Sequence, residues 1–203
     1  MSDKLAFTAV ILAGGKSSRM GKDKALLPFA GKTMLENIVE LVHSIFDETL
    51  IIVNDRSKAK GLHLYEARVY EDLIKNRGPL GGIYTGLLYS KNVANCVFPC
   101  DMPFIDELLI RDLIDFWQED VDALCFEDPK GDMQPFPGIY NRALRFLVRT
   151  LLDHGETSMR HLMEVALVKP IILKKEKIEV LFNMNRIEDY YEVLKEKEGW
   201  VKK

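Results

Sequence analysis

The sequence is short of most features that place a protein quickly. Its three cysteines, Cys96, Cys100 and Cys125, are an odd number with no Cys-x-x-Cys pair. That argues against both a disulfide framework and a thiolate zinc site. Their apolar neighbours point instead to small buried hydrophobes. No apolar run approaches the roughly 20 residues that a membrane helix needs. The opening Met1-Ser2-Asp3-Lys4-Leu5 has no apolar stretch of the kind a secretion signal carries. Cytoplasmic residence, without a membrane partner, is the expectation. A surplus of one charge is missing too, since 28 Lys and Arg stand against 31 Asp and Glu, a formal charge of −3. Such a balance gives no sign of nucleic-acid binding, which depends on neutralising many phosphates. His43, which falls within a predicted helix, and His63, His154 and His161 lack metal-ligand spacing and read as structural or exposed. No Ser-His-Asp or Cys-His set is evident, and there is no internal repeat or clear linker.

What is present is an ordinary globular composition, 47% apolar and 29% charged over 203 residues, enough for one full domain. Short apolar runs at 6–12, 50–53, 69–70 and 96–99 predict buried strands. Further strands are expected near 123–126, 137–140 and 168–173. Between them lie helical patterns at 33–46, 80–90, 105–117, 142–152, 158–165 and 187–196. The first carries a Thr33-x-x-Glu36 capping box and one apolar stripe. Strands alternating with helices predict a three-layer α/β/α, Rossmann-like, doubly wound and mostly parallel sheet.

The strongest chemical signal follows the first strand: Leu12-Ala13-Gly14-Gly15-Lys16-Ser17-Ser18-Arg19-Met20-Gly21-Lys22-Asp23-Lys24. Gly14 and Gly15 let the backbone approach a ligand closely, and consecutive N–H groups in such a turn make an anion-binding concavity. Arg19 adds a planar fork for phosphate oxygens and Lys24 a mobile point charge. Two familiar phosphate loops are ruled out. A Walker A motif needs Gly where Val10 stands, and glycines at 14, 15 and 21 do not make G-x-G-x-x-G.

Other segments supply complementary groups. In Phe98-Pro99-Cys100-Asp101-Met102-Pro103, a single carboxylate ends a short strand, where a hard cation such as Mg²⁺ can be shared between one Asp, substrate phosphates and water. The competing role for Asp101 is capping the helix that starts nearby, a task Asp106 can also perform. Asp72 precedes a second glycine-rich turn, Gly78-Pro79-Leu80-Gly81-Gly82, that opens a helix. Asn54 follows the second strand, where it also reads as a plain turn residue. Gln134-Pro135 leads into a later strand, and Asn183-Met184-Asn185 precedes the last helix, with Asn185 a candidate cap.

The string LAGGKSSRMGKDK resembles the signature of the molybdenum cofactor guanylyltransferases, within the wider nucleotidyltransferase superfamily. Three further segments extend the resemblance in order: EDLIKNRGPLGG at 71–82, FPCDMP at 98–103 and NMNRIED at 183–189. The resemblance implies transfer of GMP from GTP to the phosphate of molybdopterin or its molybdenum form, with release of pyrophosphate and Mg²⁺ as cofactor. It implies catalytic roles for Arg19, Lys24 and Asp101, with Asp101 on the metal. Leu12, Ala13, Gly14, Gly15, Lys24, Asn54, Asp72, Gly81 and Asp101 would hold the nucleotide, and Gln134, Pro135, Asn183 and Asn185 would face the second substrate. Other proteins of molybdenum cofactor biosynthesis become candidate partners. The chain is then expected to be a single nucleotidyltransferase domain over 1–203. Its nucleotide half would span 1–126 and its second-substrate half 127–203, divided at the loop-like 127–134. Readings that stay open are a related enzyme using CTP or loading a sugar phosphate, and a non-catalytic nucleotide-binding regulator.

Overall fold

A computed structural model describes residues 5–14, 23–173 and 175–200 of the chain. A seven-stranded sheet forms its centre. Four strands run parallel: β1 (Leu5–Leu12) in the middle, β4 (Phe46–Val53) and then β5 (Arg68–Glu71) on one side, and β6 (Ala94–Pro99) on the other. Beyond β6 come β8 (Met133–Asn141), β7 (Ala123–Glu127) and β9 (Val168–Ile172). Among these seven only β8 runs against the rest. The chain leaves β1 in one direction and returns to its other side at β6. The carboxyl ends of β1 and β6 therefore flank a topological switch point, where open α/β sheets bind ligands.

Alternating strand side chains feed two apolar layers, as the period of two dictates. Ala9, Ile11, Ile51, Val53, Cys96 and Phe98 face one layer, closed by α1 (Met34–His43) and α3 (Glu107–Phe116). Val10, Leu50, Ile52 and Val97 face the other, closed by α2 (Gly78–Tyr89), α4 (Arg145–Asp153) and α5 (Met159–Val165). This is the doubly wound, mostly parallel arrangement that the alternation of strands and helices predicts.

A third, smaller core was not foreseen. Residues 28–33 fold back as a two-strand hairpin, β2 (Pro28–Phe29) and β3 (Lys32–Thr33), through Ala30 and Gly31 with φ of 51° and 81°. Positive φ at both central positions is the geometry that matches strand twist in a tight hairpin. Leu27, Phe29 and Met34 pack there against Met184, Tyr190 and Val193, the latter two from α6 (Ile187–Trp200). The Tyr190 hydroxyl donates to the Pro28 carbonyl at 2.7 Å. Two-residue strands carry no periodicity, so sequence pattern cannot reveal them.

Element boundaries shift for local reasons. The first helix ends at His43, which closes it instead of sitting mid-helix, and Phe46, fully buried, already belongs to β4. Asp106, not Asp101, caps α3, accepting from the Leu109 amide at 2.8 Å. β8 starts earlier than residue 137 because Met133 and Gln134 pair with Glu127 and Phe126 of β7. The predicted helix 142–152 opens as a 3₁₀ turn, Arg142–Leu144, before α4. At the chain's last helix, Asp189 and not Asn185 supplies the acceptor, taking the amides of Asn185 and Arg186 at 2.7 and 2.8 Å.

The Thr33–Glu36 capping box forms in full, with the Thr33 hydroxyl accepting from the Glu36 amide and the Glu36 carboxylate from the Thr33 amide. Thr33→Ala should therefore cost about 1 kcal/mol. In a chain of this size that lowers Tm by roughly 2–4 °C in thermal unfolding; an unchanged Tm would contradict the cap's role.

Candidate active site

A cleft of about 420 Å³ runs along the carboxyl ends of β1, β4, β5 and β6. Leu12, Ala13 and Gly14 form its floor, tied in place by the Ala13 amide on the Ile52 carbonyl (2.9 Å) and the Cys100 amide on the Leu12 carbonyl (3.3 Å). Asn54, Asp72 and Asp101 reach it from the ends of β4, β5 and β6, and Lys24 from the stretch after β1. Residues up to 89 positions apart, Leu12 and Asp101, are thus gathered because parallel strands end at one edge. Gly15 and Arg19, expected to bind phosphate, lie outside the described residues.

Lys24 Nζ donates to Asp101 Oδ2 at 2.8 Å, and the two side chains keep only 19% and 16% of their exposure. That shielding takes the pair out of the weak, solvent-screened class. The other carboxylate oxygen, Asp101 Oδ1, is buried and accepts no hydrogen bond among the described residues. Asp23, next in sequence to Lys24, faces the cleft as well. Its carboxylate caps the short helix Lys24–Leu26 through the Ala25 amide (3.2 Å) and meets Lys58 Nζ at 2.5 Å. Lys24 therefore starts from an anchored turn and points across the switch point.

Asp72 is 7% exposed and partly committed to structure. Its Oδ1 accepts from the Ile74 amide (2.9 Å) and the Thr85 hydroxyl (3.2 Å). Gly81 lies behind it. A Cβ there would stand 2.5 Å from the Ile74 carbonyl and 2.8 Å from Asp72 Oδ2, so Gly81 shapes the wall without lining it. In the same way a Cβ on Gly14 would meet Asn54 Oδ1 at 2.8 Å. Gly78 and Pro79 open α2 at the cleft, and no side chain caps that helix start.

On the far wall Phe136 and Asn183 line the cleft, whereas Gln134, Pro135 and Asn185 do not. Gln134 is engaged in the β7–β8 ladder, and the Pro135 carbonyl accepts from the Tyr140 hydroxyl at 2.5 Å. Asp23, Asn76 and Phe136 are cleft residues that sequence reasoning missed. Asp23 and Asn76 fall inside the segments 12–24 and 71–82 that carry the resemblance, and Phe136 directly follows Gln134-Pro135, but none of the three was assigned a role. None of the four histidines lines the cleft. Among the described residues no group of three or more His, Cys, Asp or Glu gathers as a metal cage. A cation here would have to share its shell with substrate oxygens, the habit of Mg²⁺.

Residues 9–171 match the family described as the MobA-like NTP transferase domain. The chain belongs to that family. A Bacillus cytotoxicus protein named "Probable molybdenum cofactor guanylyltransferase" is 31% identical over 189 residues, covering 91% of this chain and 94% of the relative. A Clostridium perfringens protein of the same name is 32% identical over 201 residues, 94% and 98% of the two chains. The crystal structure of molybdopterin-guanine dinucleotide biosynthesis protein A from Archaeoglobus fulgidus superposes with a TM-score of 0.77 at 22% identity, over 90% of this chain and 94% of that one. Among the described residues no helix is long and apolar enough to cross a membrane.

Cys96 and Cys125 are buried as expected, but Cys100 is partly exposed on the cleft wall. Desolvation, with the neighbouring carboxylates of Asp101 and Asp23 adding to it, still holds the Cys100 thiol well above its usual range. Burial pushes Cys125 up to about 12 and raises Cys96 as well. Because the thiolate is the nucleophile, all three should resist iodoacetamide at pH 8 in the native protein and react after denaturation. Mass spectrometry that finds Cys100 alkylated in the native chain would contradict this.

Proposed function

We propose that this protein transfers GMP from GTP to the terminal phosphate of molybdopterin or its molybdenum form, releasing pyrophosphate, with Mg²⁺ as cofactor. The observation that carries the reading is the shielded Lys24–Asp101 pair at the switch point, with one Asp101 oxygen buried and without a hydrogen-bond partner among the described residues. The choice of GTP and of a pterin acceptor is supported by the names of the relatives matched along nearly the whole chain.

The acceptor phosphate is already an anion at neutral pH, so no general base is needed. The obstacle is bringing one polyanion against another, and catalysis is mainly charge neutralisation and alignment. The oxygen of the acceptor attacks the α-phosphorus in line, and the bond to the β-phosphate oxygen breaks with its electron pair on pyrophosphate. Amides of the loop after β1 hold the triphosphate, and Arg19 and Lys24 offset the charge that spreads in the transition state. Asn54 and Asp72 border the nucleoside, with Gly14 and Gly81 giving them room. The acceptor comes in along the wall of Phe136 and Asn183, with Gln134, Pro135 and Asn185 set further back.

A buried carboxylate oxygen on Asp101 that has no partner among the described residues fits a hard divalent cation. Bound there, Mg²⁺ would neutralise charge on the α-phosphate and the departing pyrophosphate. Lys24, whose ammonium meets Asp101, would then turn to phosphate oxygens.

A panel of radiolabelled nucleoside triphosphates, offered with molybdopterin and with sugar 1-phosphates, tests the assignment. Guanylyl transfer to molybdopterin is expected to dominate; cytidylyl transfer, or transfer to a sugar phosphate, would overturn it. In single-turnover assays Lys24→Ala should lose about 3 kcal/mol of transition-state stabilisation, roughly a hundredfold in rate. Asp101→Ala should abolish turnover while weakening nucleotide binding less. A near-native rate in either variant removes that residue from the machinery.

A further inference from the structure

Among the described residues that line the cleft, one positive side chain, Lys24, stands with three carboxylates, Asp23, Asp72 and Asp101. A cleft that takes a triphosphate has to offset that charge, because clefts focus the field of the groups lining them and like charges repel an incoming anion. Two of the three carboxylates have uses already described. Asp101 shares Lys24, and Asp72 Oδ1 takes the Ile74 amide and the Thr85 hydroxyl. Asp23 Oδ1 takes only the Ala25 amide within its own turn, a neutral donor that leaves the negative charge in place.

Lys58 offsets it from outside the lining of the cleft. Its Nζ meets Asp23 Oδ2 at 2.5 Å, with the Asp23 side chain 18% exposed. The chain after β4 fixes where Lys58 starts. Asn54 enters the cleft, and the short helix Arg56–Ala59 follows, capped by Asp55 through the Ser57 amide at 2.8 Å. Arg56 ties that helix to β5, its Nη2 donating to the Val69 carbonyl at 2.7 Å and its amide to the Glu71 carboxylate at 3.3 Å. Asp23 and Asp101 both act to raise the Cys100 thiol, so the two carboxylates lie within electrostatic reach of one point on the wall. Without Lys58, an uncompensated Asp23 would face the phosphates and compete with them for Lys24, its neighbour in sequence.

We infer that Lys58 is a positioning residue that sets the affinity of the cleft for the triphosphate. It acts through Asp23, masking a carboxylate that would otherwise repel the phosphates and draw Lys24 away, and makes no phosphate contact of its own. The inference rests on the reading of the cleft as a nucleotide site.

The test uses the full chain, Mg²⁺ and guanosine 5′-(α,β-methylene)triphosphate, which cannot be cleaved at the reacting bond, with binding read by isothermal titration calorimetry. Lys58→Ala is expected to weaken binding of the analogue about tenfold, the scale of coupling between groups in direct contact. Binding of guanosine, which carries no phosphate, should not change. Asp23→Asn removes the charge and keeps an acceptor for the Ala25 amide, so the double variant Asp23→Asn/Lys58→Ala should recover the affinity of the unaltered chain. If Asp23→Asn impairs folding, Asp23→Ser, another helix-capping residue, takes its place. Unchanged affinity for the analogue in Lys58→Ala overturns the inference. A double variant as weak as Lys58→Ala overturns it as well and makes Lys58 a phosphate ligand. An equal loss for guanosine and the analogue overturns it in favour of a general loosening of the rim. An unaltered chain that binds neither compound overturns the inference together with the nucleotide reading beneath it.

Discussion

A carboxylate withdrawn from water has to be compensated, and at Asp101 the fold does so on one oxygen only. Lys24 meets Oδ2 at 2.8 Å while Oδ1 is buried without a donor among the described residues. Much of the surrounding architecture serves this half-compensated charge. β1 and β6 are neighbours and end together, so the turn after β1 and the turn after β6 share one edge. Asp23, held by Lys58 and by the Ala25 amide, fixes the turn from which Lys24 extends. A fully satisfied Asp101 would be a structural ion pair; a partly satisfied one is a place where added positive charge is stabilising.

The third core explains how a remote part of the chain joins this site. Residues after β9 lie outside the main sheet, yet Met184 and Tyr190 plug into the hairpin of β2 and β3. That hairpin follows directly from Lys24–Leu26, so one small apolar cluster couples the Lys24 turn to the segment carrying Asn183. Met184 is the pivot, its side chain in the cluster and its amide on the Asp101 carbonyl. The chemistry of the cleft thus depends on a packing unit that contains no chemically active group.

How legible all this was from sequence follows from range. Strand and helix periods are local, so β1, β4, β6 and the capped α1 were readable, and with them the doubly wound class. Gly14, Asn54, Asp72, Lys24 and Asp101 all fell at ends of predicted strands or in the loop after one, and the parallel topology then brings them together. What escaped was set by contacts distant in sequence. The β2–β3 hairpin has two-residue strands, Phe136 reaches the cleft from the irregular stretch of β8 between Gln134 and Gly138, and Asn76 takes a positive φ of 64° that its place in the 71–82 segment does not announce. Gln134 and Pro135 were singled out, but neither lines the cleft: Gln134 pairs with Phe126 of β7, and the Pro135 carbonyl is taken by the Tyr140 hydroxyl.

The most direct test is a crystal structure of the protein with Mg²⁺ and the α,β-methylene analogue of GTP. It should show the triphosphate along residues 12–14 and the cation against Asp101 Oδ1, with Lys24 Nζ moved from the carboxylate to a phosphate oxygen. A triphosphate bound elsewhere, with the 2.8 Å Lys24–Asp101 contact intact, would contradict the account at its centre.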